Sequence, residues 1–131
     1  MLVATILARA DREKSIRSVA ESNNMKTLKF QHHLVEEIIA GRKTVTWRLF
    51  DDKDLQVGDK IAFIDRESKK EFAKAEITKI REKKLGGIEG EDFIGHEKFE
   101  NREEMLATYK KCYGDKVGWD AIVKIIGFKL L

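Results

Sequence analysis

The chain contains no proline and a single cysteine, Cys112. Without proline, tight turns fall to glycine and to small polar residues, so the nine glycines are the main markers of chain reversal. A lone cysteine excludes an intrachain disulfide framework and a thiolate metal cluster, and it points to a reducing cytoplasmic setting. A membrane-spanning apolar run is also missing. Residues 1–8 are apolar but too short to cross a bilayer, and they lack the positive flank of a secretory signal. No membrane partner is therefore expected. Nor does one charge sign dominate: 37% of residues are charged, yet the net charge is only +3, too mild to imply nucleic acid by itself. A length of 131 residues suits one domain, with a core that needs no staple.

What is present is concentrated in Gly41-Arg42-Lys43-Thr44-Val45-Thr46-Trp47-Arg48, which packs three cations, two hydroxyls and an indole into eight residues. It follows residues 33–40, where Leu34, Val35, Ile38 and Ile39 recur at helical spacing. Gly41 is suited to stop that helix in the left-handed conformation. In a strand over 44–49, alternation puts Thr44, Thr46 and Arg48 on one face and Val45 and Trp47 on the other. Hydroxyls and a guanidinium on an apolar backing make a floor for a small anionic or nucleobase-like ligand. Trp47 itself is expected in the core.

Other elements follow from pattern. Strands are expected over 26–31, 60–65, 71–81 and 119–130, the last apolar on both faces as in a covered sheet. Residues 50–54 read as an acidic mobile loop and 86–95 as an irregular one. A second helix starts at Asn101 with Glu104 in a capping box and ends at Gly114, with Met105, Tyr109, Cys112 and Tyr113 along one side. Cys112 is thus expected to be buried. Residues 1–24 differ in character and read as an N-terminal extension of open role; residues 25–131 read as the domain. Strands with one helix after the first and another before the last make an α+β fold with a curved sheet.

The Gly-Arg-Lys-Thr-x-Thr-x-Arg stretch after a helix, then Val57-Gly58-Asp59 before a strand and a late apolar strand, resembles the ASCH domain family from Met25 to Leu131. That family is PUA-like and linked to RNA. The resemblance implies a small PUA-like β-barrel (a pseudobarrel) of about five to six strands with two main helices. Some small ASCH proteins are amidohydrolases that remove the acetyl group from N4-acetylcytidine and look built on a Lys, a Thr and a later Glu. The resemblance implies Lys43 as base, Thr46 as nucleophile and Glu100 as acid, with Glu97 the close rival because the loop here differs in length.

Elementary chemistry is compatible with these roles. Lys43 stands near Arg42 and Arg48, and like charge with partial burial lowers an amine's pKa toward that of a base. A threonine hydroxyl needs such a base to become a nucleophile. Strict alternation opposes the pairing, because it sends Lys43 and Thr46 to opposite faces. Lys43 must therefore sit in the turn after Gly41, outside the pleat; otherwise it serves the C-terminal dipole of the helix. Arg48 suits a phosphate or a base carbonyl through its planar fork, or a salt bridge to Asp51, Asp52 or Asp59.

Two readings follow. In one, the chain binds RNA or a modified nucleoside through Arg42, Thr44, Arg48, Lys79 and Arg81; Lys79, Arg81, Lys83 and Lys84 join the first cations in one patch if their strands are neighbours. The bland alternative for these residues is a solvated strand edge. In the other, the same pocket hydrolyses an acylated nucleobase without a metal, with ribonuclease activity as the remaining enzymatic option. No cofactor is expected. His32 and His33 are adjacent and diverge on a helix, and His96 has no second pair at ligand spacing, so a metal is not expected either.

Overall fold

The structure is a computed structural model that describes residues 25–131; the expected N-terminal extension, residues 1–24, lies outside the described residues. Five strands and two main helices follow one another as β1 (Lys26–Phe30), α1 (His32–Ile39), β2 (Val45–Leu49), β3 (Lys60–Asp65), β4 (Glu71–Lys84), α2 (Arg102–Tyr113) and β5 (Ile122–Leu130). Two short 3-10 turns, Leu85–Gly87 and Gly90–Phe93, occupy the loop between β4 and α2. The strands form one mixed sheet in the order β1-β3-β4-β5-β2, with β1 parallel to β3 and every other pair antiparallel. This sheet curls into a half-barrel, consistent with the small α+β pseudobarrel that the ASCH resemblance implies.

Curling leaves β1 and β2 as the two edges. Side chains bridge the seam between them. Arg48 on β2 donates from its guanidinium to the Lys29 carbonyl on β1 at 2.9 Å, and Lys53 Nζ reaches the Thr27 carbonyl at 2.7 Å. Register shifts in β4 beside Thr78 and in β3 between Phe63 and Ile64 supply local bends of the kind that curve a sheet.

Both faces of the sheet are covered. Leu28, Phe30, Ile38, Leu55, Ile61, Phe63, Ile77, Ile126 and Phe128 form one apolar cluster, into which α1 inserts Ile38 while Ile39 stays exposed. Trp47, Leu49, Leu85, Met105, Tyr109, Val117, Val123 and Ile125 form the second, under α2. Successive residues Ile125 and Ile126 on β5 enter opposite clusters, which explains why that strand is apolar on both sides.

Several expectations need correction. β5 begins at Ile122, because Trp119 lies in a turn before it, under the Arg102 guanidinium at 4.6 Å. Cys112 is exposed, since α2 turns only Met105 and Tyr109 fully inward. The loop at 50–54 is tied down: the Asp51 carboxylate accepts from the amides of Lys53 and Leu55 and from Lys124 Nζ at 2.8 Å. β4 runs three residues further than expected, to Lys84. It is also no neighbour of β2, because β5 lies between them, so the two cation groups do not merge into one patch.

Candidate functional site

The site begins where α1 ends. Gly41 adopts φ +82, and the chain doubles back so that the amides of Arg42 and Lys43 both reach the Glu37 carbonyl, at 2.9 and 3.0 Å. Backbone therefore satisfies this helix terminus, and the Lys43 side chain is left for another partner. Lys43 precedes the first residue of β2 and so lies outside the pleat. Its ammonium is buried, 4% exposed, and donates to the Val45 carbonyl at 2.8 Å and to Glu97 Oε1 at 2.7 Å.

Glu97 comes from the loop before α2, and a backbone clamp brings that loop against β2. The Gly95 carbonyl accepts from the amides of both Thr44 and Val45, at 2.9 and 3.1 Å. Gly95 itself has φ +80, and a Cβ there would lie 2.2 Å from Thr44 Oγ1. The next residue, His96, is buried and stacks flat on Trp47 with ring centroids 4.0 Å apart. Its Nδ1 donates to the Glu97 carbonyl at 2.7 Å, which leaves Nε2 as the acceptor of a neutral ring.

The electrostatics are those of a partly buried pocket holding more positive than negative charge. Burial lowers the Lys43 pKa against the opposing pull of Glu97. Burial and then the Lys43 charge push His96 down to about 4, so it is neutral at physiological pH. Burial works to raise the Glu97 carboxyl, but the neighbouring Lys43, followed by His96, outweighs it and holds the pKa below its ordinary value. Burial raises Tyr109 well above the usual phenol range.

These groups open onto a cavity of about 400 Å³ in the seam between β1 and β2. Its lining holds the cations Lys29, Lys43, Arg48 and Arg66 against one carboxylate, Glu97. Thr46 lines it too, beside aromatic walls of Trp47, His96, Phe99, Tyr109 and Tyr113. His96, Trp47, Tyr109 and Tyr113 succeed one another with planes inclined by only 14°, 20° and 14°.

Of the residues singled out in the sequence, Lys43, Thr46, Arg48 and Glu97 meet at this cavity. The others do not. Arg42 turns back onto the Glu37 carboxylate through two hydrogen bonds, at 2.8 and 3.1 Å. Thr44 is exposed and Glu100 lies at the start of α2, its amide donating to Glu104. Lys79 is exposed on β4, while Arg81 and Lys83 both bind the buried Asp92 carboxylate, at 2.7 and 2.8 Å. Arg48 forms none of the expected salt bridges to Asp51, Asp52 or Asp59; its guanidinium lies 4.7 Å over the Phe30 ring and bonds to Lys29. Among the described residues no group of three His, Cys, Asp or Glu is placed to hold a metal ion.

Sequence reasoning missed Arg66 and the stacking role of His96. Arg66 arrives from the β3–β4 hairpin, which nothing local connects to the motif. His96 beside Glu97 was visible as a pair, but its partner Trp47 lies 49 residues earlier in the chain.

No protein-family model matches the chain, and no curated protein is significantly similar to it in sequence. Solved structures are similar in fold. A DUF984 protein of Enterococcus faecalis superposes with a TM-score of 0.67 at 16% identity, over 82% of this chain and 80% of that one. The hypothetical protein PH0355 gives 0.63 at 24% identity, over 82% and 99%. An ASCH domain from Lactobacillus crispatus gives 0.58 at 15% identity, over 88% and 86%. The half-barrel that sets Lys43, Thr46 and Glu97 around one cavity is an ASCH-like fold.

Proposed function

We propose that the cavity between β1 and β2 binds a modified pyrimidine nucleoside and hydrolyses an acyl amide on its base, with N4-acetylcytidine as the model substrate. The observation that carries this reading is the convergence of Lys43, Thr46 and Glu97 on one concave, aromatic-walled cavity. A plain nucleic-acid-binding groove requires neither a buried lysine nor a carboxylate on it.

In this reading the ligand's ring lies against the aromatic wall and its acyl carbonyl faces Thr46. Neutral Lys43 takes the Thr46 hydroxyl proton as Oγ bonds to the carbonyl carbon, and the carbonyl electron pair moves onto oxygen. The surplus of cations around the cavity favours that developing negative charge. When the oxyanion collapses, the C–N bond breaks, and the proton held by Lys43 passes through Glu97 to the departing nitrogen. Water then attacks the acyl-threonine with Glu97 and Lys43 as proton acceptors, releasing the carboxylic acid and restoring Thr46. The 2.7 Å bond between Lys43 and Glu97 is the path of that proton.

The test is turnover of N4-acetylcytidine, followed by chromatography, for the wild type beside Lys43→Ala and Thr46→Ala. Cytidine formation by the wild type and a loss of at least about 100-fold in each folded variant is the expected result. Equal turnover in either variant would remove that residue's role.

A further inference from the structure

The same cavity holds a pair of arginines to which the hydrolytic scheme gives no individual role. Burial disfavours the Arg48 guanidinium, against the opposing pull of Tyr113 and Tyr109 and with a smaller push from Arg66, and its Nε is sealed from solvent without a hydrogen-bond partner among the described residues. Arg66 sits on the β3–β4 hairpin, held there by its amide's 2.9 Å bond to the Phe30 carbonyl, and lines the same cavity. Among the described residues neither arginine forms a salt bridge. Two guanidinium groups line one cavity, and the one carboxylate that lines it among the described residues, Glu97, is already bound to Lys43.

Their position relative to the proposed chemistry is also informative. Thr46 and Arg48 lie on the same face of β2, two residues and therefore roughly 6.7 Å apart along the strand. A longer arginine side chain extends that reach toward β1 and Arg66. A base whose amide meets Thr46 would thus direct its sugar end at the two arginines.

We propose that Arg48 and Arg66 form a phosphate subsite, so that the preferred ligand is a pyrimidine nucleoside monophosphate rather than a bare nucleoside. The nucleoside part rests on the proposed function above, whereas the phosphate part rests on the two arginines alone. A guanidinium suits this task, because its planar fork can offer parallel donors to phosphate oxygens: Arg66 is exposed, whereas Arg48 keeps one of its donors on the Lys29 carbonyl. A cavity of about 400 Å³ is of the size that one nucleotide fills.

Isothermal titration calorimetry with cytidine and cytidine 5′-monophosphate tests the subsite without requiring catalysis. The wild type is expected to bind the monophosphate about 10- to 100-fold more tightly, a preference that shrinks as salt rises. Arg48→Gln and Arg66→Gln are each expected to bring the ratio of the two dissociation constants close to one. Arg66 is exposed, so its variant preserves the test if loss of the Arg48 seam contact unfolds the chain. Equal wild-type affinities, or a ratio unchanged in Arg66→Gln, would overturn the subsite. A 5′-phosphorylated oligonucleotide bound more than tenfold tighter than the monophosphate would overturn the choice of a free nucleotide. Monophosphate preference without any hydrolysis of N4-acetylcytidine would defeat the hydrolase reading alone; hydrolysis without that preference would defeat the subsite alone.

Discussion

At the scale of the residue, the account depends on Lys43 being outside the strand. Alternation sends it away from Thr46, and the left-handed Gly41 reverses that result by keeping Lys43 in the turn. The glycine and the conflict were both legible in the sequence, but the Glu37 carbonyl that absorbs two amides was not. Burial lowers the Lys43 pKa from 10.5, so the neutral base becomes available at lower pH than for a free lysine. Turnover should therefore climb with pH and level off below pH 10.5, and Lys43→Arg should remove the climb along with the activity. A flat profile measured by initial rates would exclude Lys43 as base. His96 adds a second titration, this one of stability. Its imidazole is held neutral with a folded pKa of about 4 against 6.5 when unfolded. The unfolded chain takes up the proton first, so stability is fully present above pH 6.5 and drains as pH falls toward 4. Urea unfolding across that range should show this loss in the wild type and a flatter dependence in His96→Phe, which keeps a ring on Trp47. Equal slopes in the two proteins would contradict a buried neutral histidine.

At the scale of the element, the acid loop is placed by one carbonyl. Gly95 clamps the loop to the first residues of the motif, and its positive φ explains why glycine occupies that position. Gly95→Ala should cost at least about 1–2 kcal/mol through the left-handed backbone, with the Cβ 2.2 Å from Thr44 Oγ1 adding to it, and more in turnover than in stability, because Glu97 moves with the loop. Thermal unfolding and N4-acetylcytidine turnover read both effects; an unchanged rate in a destabilised variant would detach the clamp from the chemistry. The elements themselves were mostly legible. Glycines bounded the helices, and alternation located the strands. Strand order was not, because β5 inserts between β4 and β2 through pairings that span the length of the domain. That insertion is why Lys79 and Arg81 looked like companions of Arg48 in the sequence. The Asp92 carboxylate, which ties down Arg81 and Lys83, was read only as part of the irregular loop over 86–95. Its pKa near 2 reflects the same pairing, against the opposing effect of burial.

At the scale of the whole molecule, a half-barrel with unjoined edges creates the site. β1 and β2 share no backbone ladder, so side chains and a cavity fill their seam. The order of elements pointed to this fold, and solved ASCH structures have it at identities near 15%. Which glutamate would reach the cavity was not legible, because the choice depended on how the loop at 86–95 packs. Two 3-10 turns and the Gly95 clamp deliver Glu97 to Lys43 and leave Glu100 at the helix start. No helix among the described residues is long and apolar enough to cross a membrane. The central claim is that this seam is an active site built on Lys43, Thr46 and Glu97. Its most direct test is N4-acetylcytidine turnover by the wild type, Glu97→Gln and Glu100→Gln under identical conditions. Conversion to cytidine is expected for the wild type and for Glu100→Gln, with Glu97→Gln slower by at least about 100-fold. No conversion by the folded wild type at high enzyme concentration, or loss in Glu100→Gln with Glu97→Gln intact, would contradict it.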